Sequence, residues 1–304
     1  MNALAITVGV ATCARPESLA RCLRALEAQT VAPAEVVVVD QAPTEDARAA
    51  AGAAGLGGVR YLEQARLGLS ASRNLALSSA RGSVLAVTDD DCAPDPDWLA
   101  EVGAALAREP RPGAVTGPIL PLGDPPPGSF PVSLRESDVA VDHSGRMQPW
   151  GVGSGANFTA SVVLLRCCGG WDERLGAGSG GQAAEDADLI YRLLLGGHTV
   201  RYEPAAVMRH EWQTRERRLA TRWSYGYGIG AMCGLWLARR NAHALQLLAG
   251  YARLHVRPVA GALRHRDRGR LAEHGRALAS PVPGVLHGLR ASRKPSLSTP
   301  LGPP

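Results

Sequence analysis

Ser83-Val84-Leu85-Ala86-Val87-Thr88-Asp89-Asp90-Asp91 is the stretch on which the reading of the fold turns. An apolar run of this length suits a strand buried on both faces, and it ends without a break in three adjacent carboxylates. Open α/β sheets bind ligands beyond the carboxyl ends of their strands, so the acids stand where chemistry is expected. Ionised carboxylates this close raise one another's pKa unless a cation compensates, and a hard divalent ion, Mg²⁺ or Mn²⁺, is the natural one. The plain alternative is a solvated acidic turn capping a helix after Pro94, with Asp95 or Asp97 at its start.

Outward from this stretch, residues 6–10, 35–39 and 59–62 read as further strands separated by helical patterns. Pro16 suits a first helical turn, and Leu19, Cys22, Leu23 and Leu26 follow at i, i+3, i+4 and i+7, which predicts a helix over about 16–29. Alternating strands and helices predict an α/β fold with a mainly parallel sheet and right-handed crossovers. Residues 121–149, with Pro125-Pro126-Pro127, read as an irregular loop across the sheet face. Residues 154–165 then look like strand, 176–181 like a glycine-rich loop, 184–195 like a helix, and 198–202 and 205–209 like short strands. The expected organisation is a catalytic domain over residues 1–212, with a nucleotide-binding half to about 120 and an acceptor half after it. A basic helical tail follows over residues 213–304, its end disordered.

The chain has 304 residues, 45% of them hydrophobic and 20% charged, an ordinary globular composition that argues against long disorder. Six cysteines form neither a Cys-x-x-Cys pair nor a Cys/His zinc spacing, which excludes a zinc ribbon and suits a reducing compartment. The start lacks a basic segment ahead of its short apolar run, so the expectation is a cytoplasmic protein. Net charge +5 conceals an asymmetry: residues 205–304 hold 17 Arg/Lys against 4 Asp/Glu, and residues 1–204 hold 16 against 24. The tail therefore suits an acidic partner. No nucleic-acid-binding signature accompanies it, which leaves an anionic membrane, on its inner face, as the candidate surface. Ile229, Met232, Cys233 and Trp236 make one apolar stripe there, and Leu247, Leu248, Tyr251 and Leu254 another. The uncharged stretch 223–238 has 16 residues, short of the roughly 20 that span a bilayer. Packing of both stripes on the catalytic domain or on a second subunit is the alternative.

A second carboxylate group, Glu185-Asp186-Ala187-Asp188, opens the helix whose apolar residues are Leu189, Ile190, Leu193 and Leu194. At about 100° per residue Asp186 falls near the centre of that face, Glu185 to one side and Asp188 on the far side. Asp186 is thus predicted to point inward alone, with Glu185 and Asp188 as surface acids near a helix N-terminus. A metal site and an inward carboxylate on a separate helix suit group transfer from a diphosphate: the cation steadies the leaving group, and the carboxylate takes the proton of an attacking hydroxyl.

The order of several blocks resembles that of family 2 glycosyltransferases, inverting enzymes of the GT-A fold, over about residues 4–212. The blocks are Thr12, Arg15 and Pro16 within residues 8–29, residues 36–40, Gly68 to Asn74, Asp89 to Asp91, residues 153–157, Gly170 to Glu173, Glu185-Asp186, and Tyr202-Glu203-Pro204 leading to His210. The resemblance implies a GT-A, Rossmann-like sheet flanked by helices and transfer of sugar from a nucleotide diphosphate donor, a UDP-sugar favoured. It implies donor contacts at Thr12, Arg15, Asp40, Arg73, Asp89 and Asp90, and Mn²⁺ or Mg²⁺ ligands at Asp91, Asp89 and His210. Asp186 would be the base with Glu185 beside it, and Gly155, Asn157, Trp171 and Asp172 would border the acceptor. The implied acceptor is a glycan, a lipid-linked glycan or a small molecule, in cell-envelope or natural-product glycosylation. Gln41 departs from the small polar or acidic residue often found there, and Cys13-Ala14 from a more polar turn.

A nucleotide-binding oxidoreductase would need Gly-x-Gly-x-x-Gly after the first strand, where Ala11 to Pro16 stand instead. A sugar nucleotidyltransferase should carry a glycine-rich basic loop there. A non-catalytic nucleotide- or glycan-binding scaffold would not need Asp91, Asp186 and His210 together.

Overall fold

A computed structural model describes residues 4–132 and 135–293. The first units are β1 (Ile6–Thr12), α1 (Pro16–Glu27), β2 (Glu35–Asp40), α2 (Glu45–Ala53), β3 (Val59–Glu63), α3 (Leu69–Ser79) and β4 (Val84–Asp89). Leu19, Cys22, Leu23 and Leu26 are all buried, as their helical spacing requires. The four strands lie in the order β3-β2-β1-β4, all parallel. Val84 and Ala86 face one core and Leu85 and Val87 the other, which is why this run is apolar at every position. Register places Thr12 beside Asp40 and Ala11 beside Asp89, so three strands end along one edge.

After β5 (Cys92–Pro94), α4 (Trp98–Leu106), β6 (Ala114–Thr116), β7 (Ile119–Pro121) and β8 (Val141–His143) comes β9 (Phe158–Ser161), antiparallel to both its neighbours, β4 and β6. The stretch 154–165, read from sequence as strand, is strand only over those four residues. It continues as α5 (Val162–Cys167), because Val162 and Leu165, one helical turn apart, both drop into the core while Val163 faces out. α6 (Glu185–Leu195), β10 (Val200–Tyr202) and β11 (Met208–His210) follow. The main sheet has eight strands, ending β9-β6-β10-β8, and a second sheet has the order β5-β11-β7.

Four helices complete the described chain: α7 (Arg215–Ala238), α8 (His243–Arg264), α9 (Arg268–Ala279) and α10 (Pro281–Ala291). The first apolar stripe of the tail does not face outward. Ile229, Met232 and Cys233 are buried with Leu175 and Tyr191, and Leu247 and Tyr251 of α8 join the same cluster. The apolar side chains of α6 on that flank otherwise have no cover, so burial there outweighs any external surface. α10 lies so close to α7 that a Cβ at Gly288 would collide with the Ala231 carbonyl oxygen. Among the described residues no helix is long and apolar enough to cross a membrane, in line with the length of 223–238. The disordered end expected of the tail lies outside the described residues.

Candidate active site

The turn after β4 holds its three acids differently. Asp90 is fully buried, accepting from the Thr12 hydroxyl at 2.7 Å and meeting Arg15 Nη2 at 2.6 Å; burial pushes its carboxyl up to about 6 against the pull of Arg15. Asp91 is buried too, but its Oδ2 meets Arg15 Nη1 at 2.6 Å and Arg217 Nη2 at 3.0 Å, and its Oδ1 lies 3.2 Å from His210 Nε2. Burial alone would raise Asp91; His210, Arg15 and Arg217 outweigh it and hold the carboxyl below the usual range. Asp89 is half-buried and pairs with Arg73 at 3.0 Å.

His210 reaches Asp91 through strand pairing rather than sequence. β11 runs antiparallel to β5 with His210 opposite Cys92, the residue after Asp91. The imidazole Nδ1 lies 2.9 Å from the Glu211 carbonyl oxygen. A carbonyl only accepts, so Nδ1 carries the proton, and in neutral imidazole the Nε2 lone pair then faces the Asp91 carboxylate. Two lone pairs at that separation repel, so the pair calls for a cation: a proton on Nε2 or a metal ion. Asp91, Cys92 and His210 are the group among the described residues with ligand atoms within 4.8 Å of one another. Burial lifts the Cys92 thiol well above its ordinary range, which leaves carboxylate and imidazole as donors, a set that suits Mn²⁺.

The α6 carboxylates correct the helical-face expectation. Glu185 is buried, its Oε1 2.7 Å from Arg73 Nη1, and Asp188 is buried as well, accepting from Arg192 Nε and from Trp236 Nε1, each at 2.8 Å. Neither is a surface acid, because Arg73 of α3 reaches Glu185 and Trp236 of α7 reaches Asp188, contacts that a single-face argument on α6 alone does not include. Burial, and then repulsion from Asp186, push Glu185 up to about 7 against Arg73. Asp186 is the half-buried member; its Oδ2 accepts from Gly155 N–H at 2.8 Å and its Oδ1 from Ala187 N–H at 2.7 Å. Ala184, just before the helix, sits at φ 69°, a left-handed conformation that costs a non-glycine residue about 1 kcal/mol or more.

One cavity of about 740 Å³ gathers these groups: Thr12, Arg15, Arg73, Asp89, Asp91, Gly155, Glu185, Asp186 and His210 all line it. Five expected contacts do not. Asp40 turns into the fold, accepting from Tyr61 Oη at 2.5 Å and from Ala42 N–H at 2.8 Å, while its neighbour Gln41 lines the cavity and accepts from Gly68 N–H at the start of α3. Asn157 accepts from Trp98 Nε1 and donates to the carbonyls of Pro118 and Ala206, fastening strands together. Trp171, 1% exposed, packs edge-on against Phe158, since its backbone N–H is fixed by Asn74 and its ring is drawn into the core. Asp172 is bound twice by Arg174. Asp90, though central, is covered by Thr12 and Arg15 and lies beneath the lining.

Sequence reading missed the wall opposite the sheet. Arg217, Tyr225 and Ile229 of α7, Tyr251 and His255 of α8, and Trp150 from a short turn over Pro149–Gly151 all line the cavity. Arg135 positions that turn by donating to the carbonyls of Trp150, Gly151 and Gly153. The signals in the sequence are the basic run from Arg215 to Arg218 and the two apolar stripes that carry Ile229 and Tyr251, whose packing on the catalytic domain is the alternative to a membrane surface.

Residues 7–129 match the model for "Glycosyl transferase family 2" and residues 84–265 that for "Glycosyl transferase family group 2". The pre-mycofactocin glycosyltransferase of Mycobacterium tuberculosis is 28% identical over 171 residues, which are 54% of this chain and 34% of the relative. The chain thus spans about a third of the length of the curated relatives it matches. Among solved structures, TarS 1–349 of S. aureus superposes with a TM-score of 0.62 at 16% identity, covering 94% of this chain and 82% of that one. A mannosyltransferase from Pyrobaculum calidifontis, PcManGT, solved with GDP-Man and Mn²⁺, gives 0.56 at 18%, covering 95% and 87%. At such identities the likeness is one of fold, the GT-A arrangement. The second family model spans well over half of the chain and takes in the acidic turn, α6, His210 and both α7 and α8, so the chain belongs to glycosyl transferase family group 2.

Proposed function

We propose that the protein is an inverting, metal-dependent glycosyltransferase that moves a sugar from a nucleotide diphosphate, a UDP-sugar by preference, to an acceptor hydroxyl. The observation that carries the reading is the meeting, around one cavity, of the Asp91–His210 pair with the Asp186 carboxylate. Asp91 and His210 would hold Mn²⁺ or Mg²⁺, while Asp89, paired with Arg73, lines the same cavity; a bound divalent ion supplies charge stabilisation to the departing diphosphate. Thr12, Arg15 and Gln41 border the nucleotide end. Arg73, buried between Asp89 and Glu185, offsets both acids and joins the donor side to α6. Asp186, oriented by Gly155 N–H, accepts the proton of the acceptor hydroxyl as that oxygen attacks the anomeric carbon opposite the leaving diphosphate, which inverts the centre. The tail helices close the acceptor side, where Trp150 and Tyr251 pack edge-on at 5.6 Å. We divide the chain on this basis into residues 1–212 and a tail that completes the site. PcManGT, solved with GDP-Man and Mn²⁺, is compatible with the metal reading.

The test is nucleotide release from a panel of nucleotide sugars with and without chelator. Chelation, or Asp91→Ala, should abolish turnover. Undiminished turnover after thorough chelation would remove the metal mechanism.

A membrane surface remains part of the proposal on different residues from the stripes read in sequence. Val282, Leu286 and Leu289 of α10 stand exposed at i, i+4 and i+7, with Arg290 and Arg293 beyond them. This pattern suits shallow insertion beside anionic headgroups, near lipid-linked acceptors of envelope glycans.

A further inference from the structure

Arg217 belongs to the first turn of α7, where the Thr214 hydroxyl caps its backbone N–H at 3.2 Å. Its side chain lines the cavity, is half exposed, and among the described residues pairs with Asp91 alone. Arg15 shares the same Asp91 oxygen but has Asp90 as a second anchor. Asp91 Oδ2 therefore carries two guanidinium contacts, while Oδ1 faces His210.

Such crowding has a consequence for metal binding. A carboxylate held by two arginines is electrostatically neutralised, and a divalent ion approaching Asp91 and His210 meets two fixed positive charges. Arg217 is half exposed and, unlike Arg15, has no second carboxylate among the described residues to hold it, so it is the arginine that exchanges for a better anion. A diphosphate is that anion, with more charge and several oxygens for the guanidinium fork. Once the arginine moves to phosphate, the ionised Asp91 carboxylate loses a competing contact and the cation can enter. We propose that Arg217, assisted by Arg15, is a diphosphate-binding residue that holds Asp91 until the donor arrives, so that diphosphate and metal bind with strong positive coupling. The inference rests on the metal and donor reading above and adds to it the order in which the site fills.

Calorimetric titration of the full chain tests this, with Mn²⁺ alone, inorganic pyrophosphate alone, UDP alone, and each anion in the presence of Mn²⁺. In the wild type, Mn²⁺ alone should bind weakly and pyrophosphate or UDP should tighten it markedly. Arg217→Gln should tighten Mn²⁺ alone by about 2- to 5-fold, the competing ion pair being gone. The same variant should weaken UDP and pyrophosphate by about 10- to 100-fold, as for a lost charged hydrogen bond. Arg217→Lys, which keeps the charge without the fork, should fall between. Opposite signs for cation and anion are the signature. A purely structural Arg217 would lower the melting temperature and leave both affinities unchanged, and that result overturns the proposal, as does weakening of both ligands alike. If pyrophosphate shows the opposite-sign pattern but no nucleotide diphosphate binds, the glycosyl-transfer reading fails while the role of Arg217 stands.

Discussion

Asp186 and Glu185 are adjacent, yet their surroundings give them separate work. Asp186 reaches the cavity with both oxygens already oriented by backbone N–H groups, as a base needs. Glu185 is buried and committed to Arg73, which leaves its carboxylate poorly placed to meet an acceptor hydroxyl. Asp186→Asn should keep nucleotide binding while lowering transfer by about 10² to 10⁴-fold, measured as product formed under saturating donor. Glu185→Gln should cost far less in transfer, since Arg73 keeps Asp89 as a partner. If Glu185→Gln proved the more damaging, the base would have to be reassigned.

At the scale of elements, the tail depends on how closely its helices approach. A Cβ at Gly288 of α10 would meet the backbone oxygen of Ala231 in α7, and backbone cannot step aside as a flexible side chain can. Gly288→Ala should therefore destabilise by about 1 to 3 kcal/mol, through overpacking between the two helices. Gly261 in α8 has nothing within 4 Å of its Cβ position and an ordinary helical backbone. Gly261→Ala should stabilise by about 0.4 to 1 kcal/mol, because alanine has less backbone freedom to lose on folding. Thermal melts of the two variants beside the wild type should move in opposite directions; a fall in both would mean that α8 is more tightly surrounded at Gly261 than its neighbours indicate.

For the molecule as a whole, the opposed charges of its two parts set how it would meet a surface. The exposed stripe on α10 and the arginines of the tail should bring the protein to vesicles containing anionic lipid, and salt should weaken the attachment. Replacing Val282, Leu286 and Leu289 by serine tests this without removing a packed helix. Flotation should fall for the triple variant and be absent with neutral lipid. Equal, salt-independent recovery of wild type and variant on both vesicle types would exclude the membrane surface.

The sequence by itself determined the first half of the main sheet, β1 to β4, and the helices between those strands. The run from Val84 to Asp91, the stripe on α1 and the order of strands and helices follow from local periodicity, and neighbouring residues act through neighbouring structure. The acidic turn was legible for the same reason, since its three carboxylates are contiguous. His210 was legible only through resemblance, for its meeting with Asp91 is made by β11 pairing with β5 across more than a hundred residues. Tertiary structure alone decided which acids of α6 face the cavity. A face computed from one helix cannot include contacts contributed by other helices, and Arg73 of α3 meets Glu185 while Trp236 of α7 meets Asp188. It also turned Trp171 and Asn157 into the fold, and directed the first stripe of the tail inward, because an apolar flank of α6 needed burial. Arg217, Trp150 and Tyr251 come to one cavity from separate segments, and no periodicity within any one of those segments encodes the meeting.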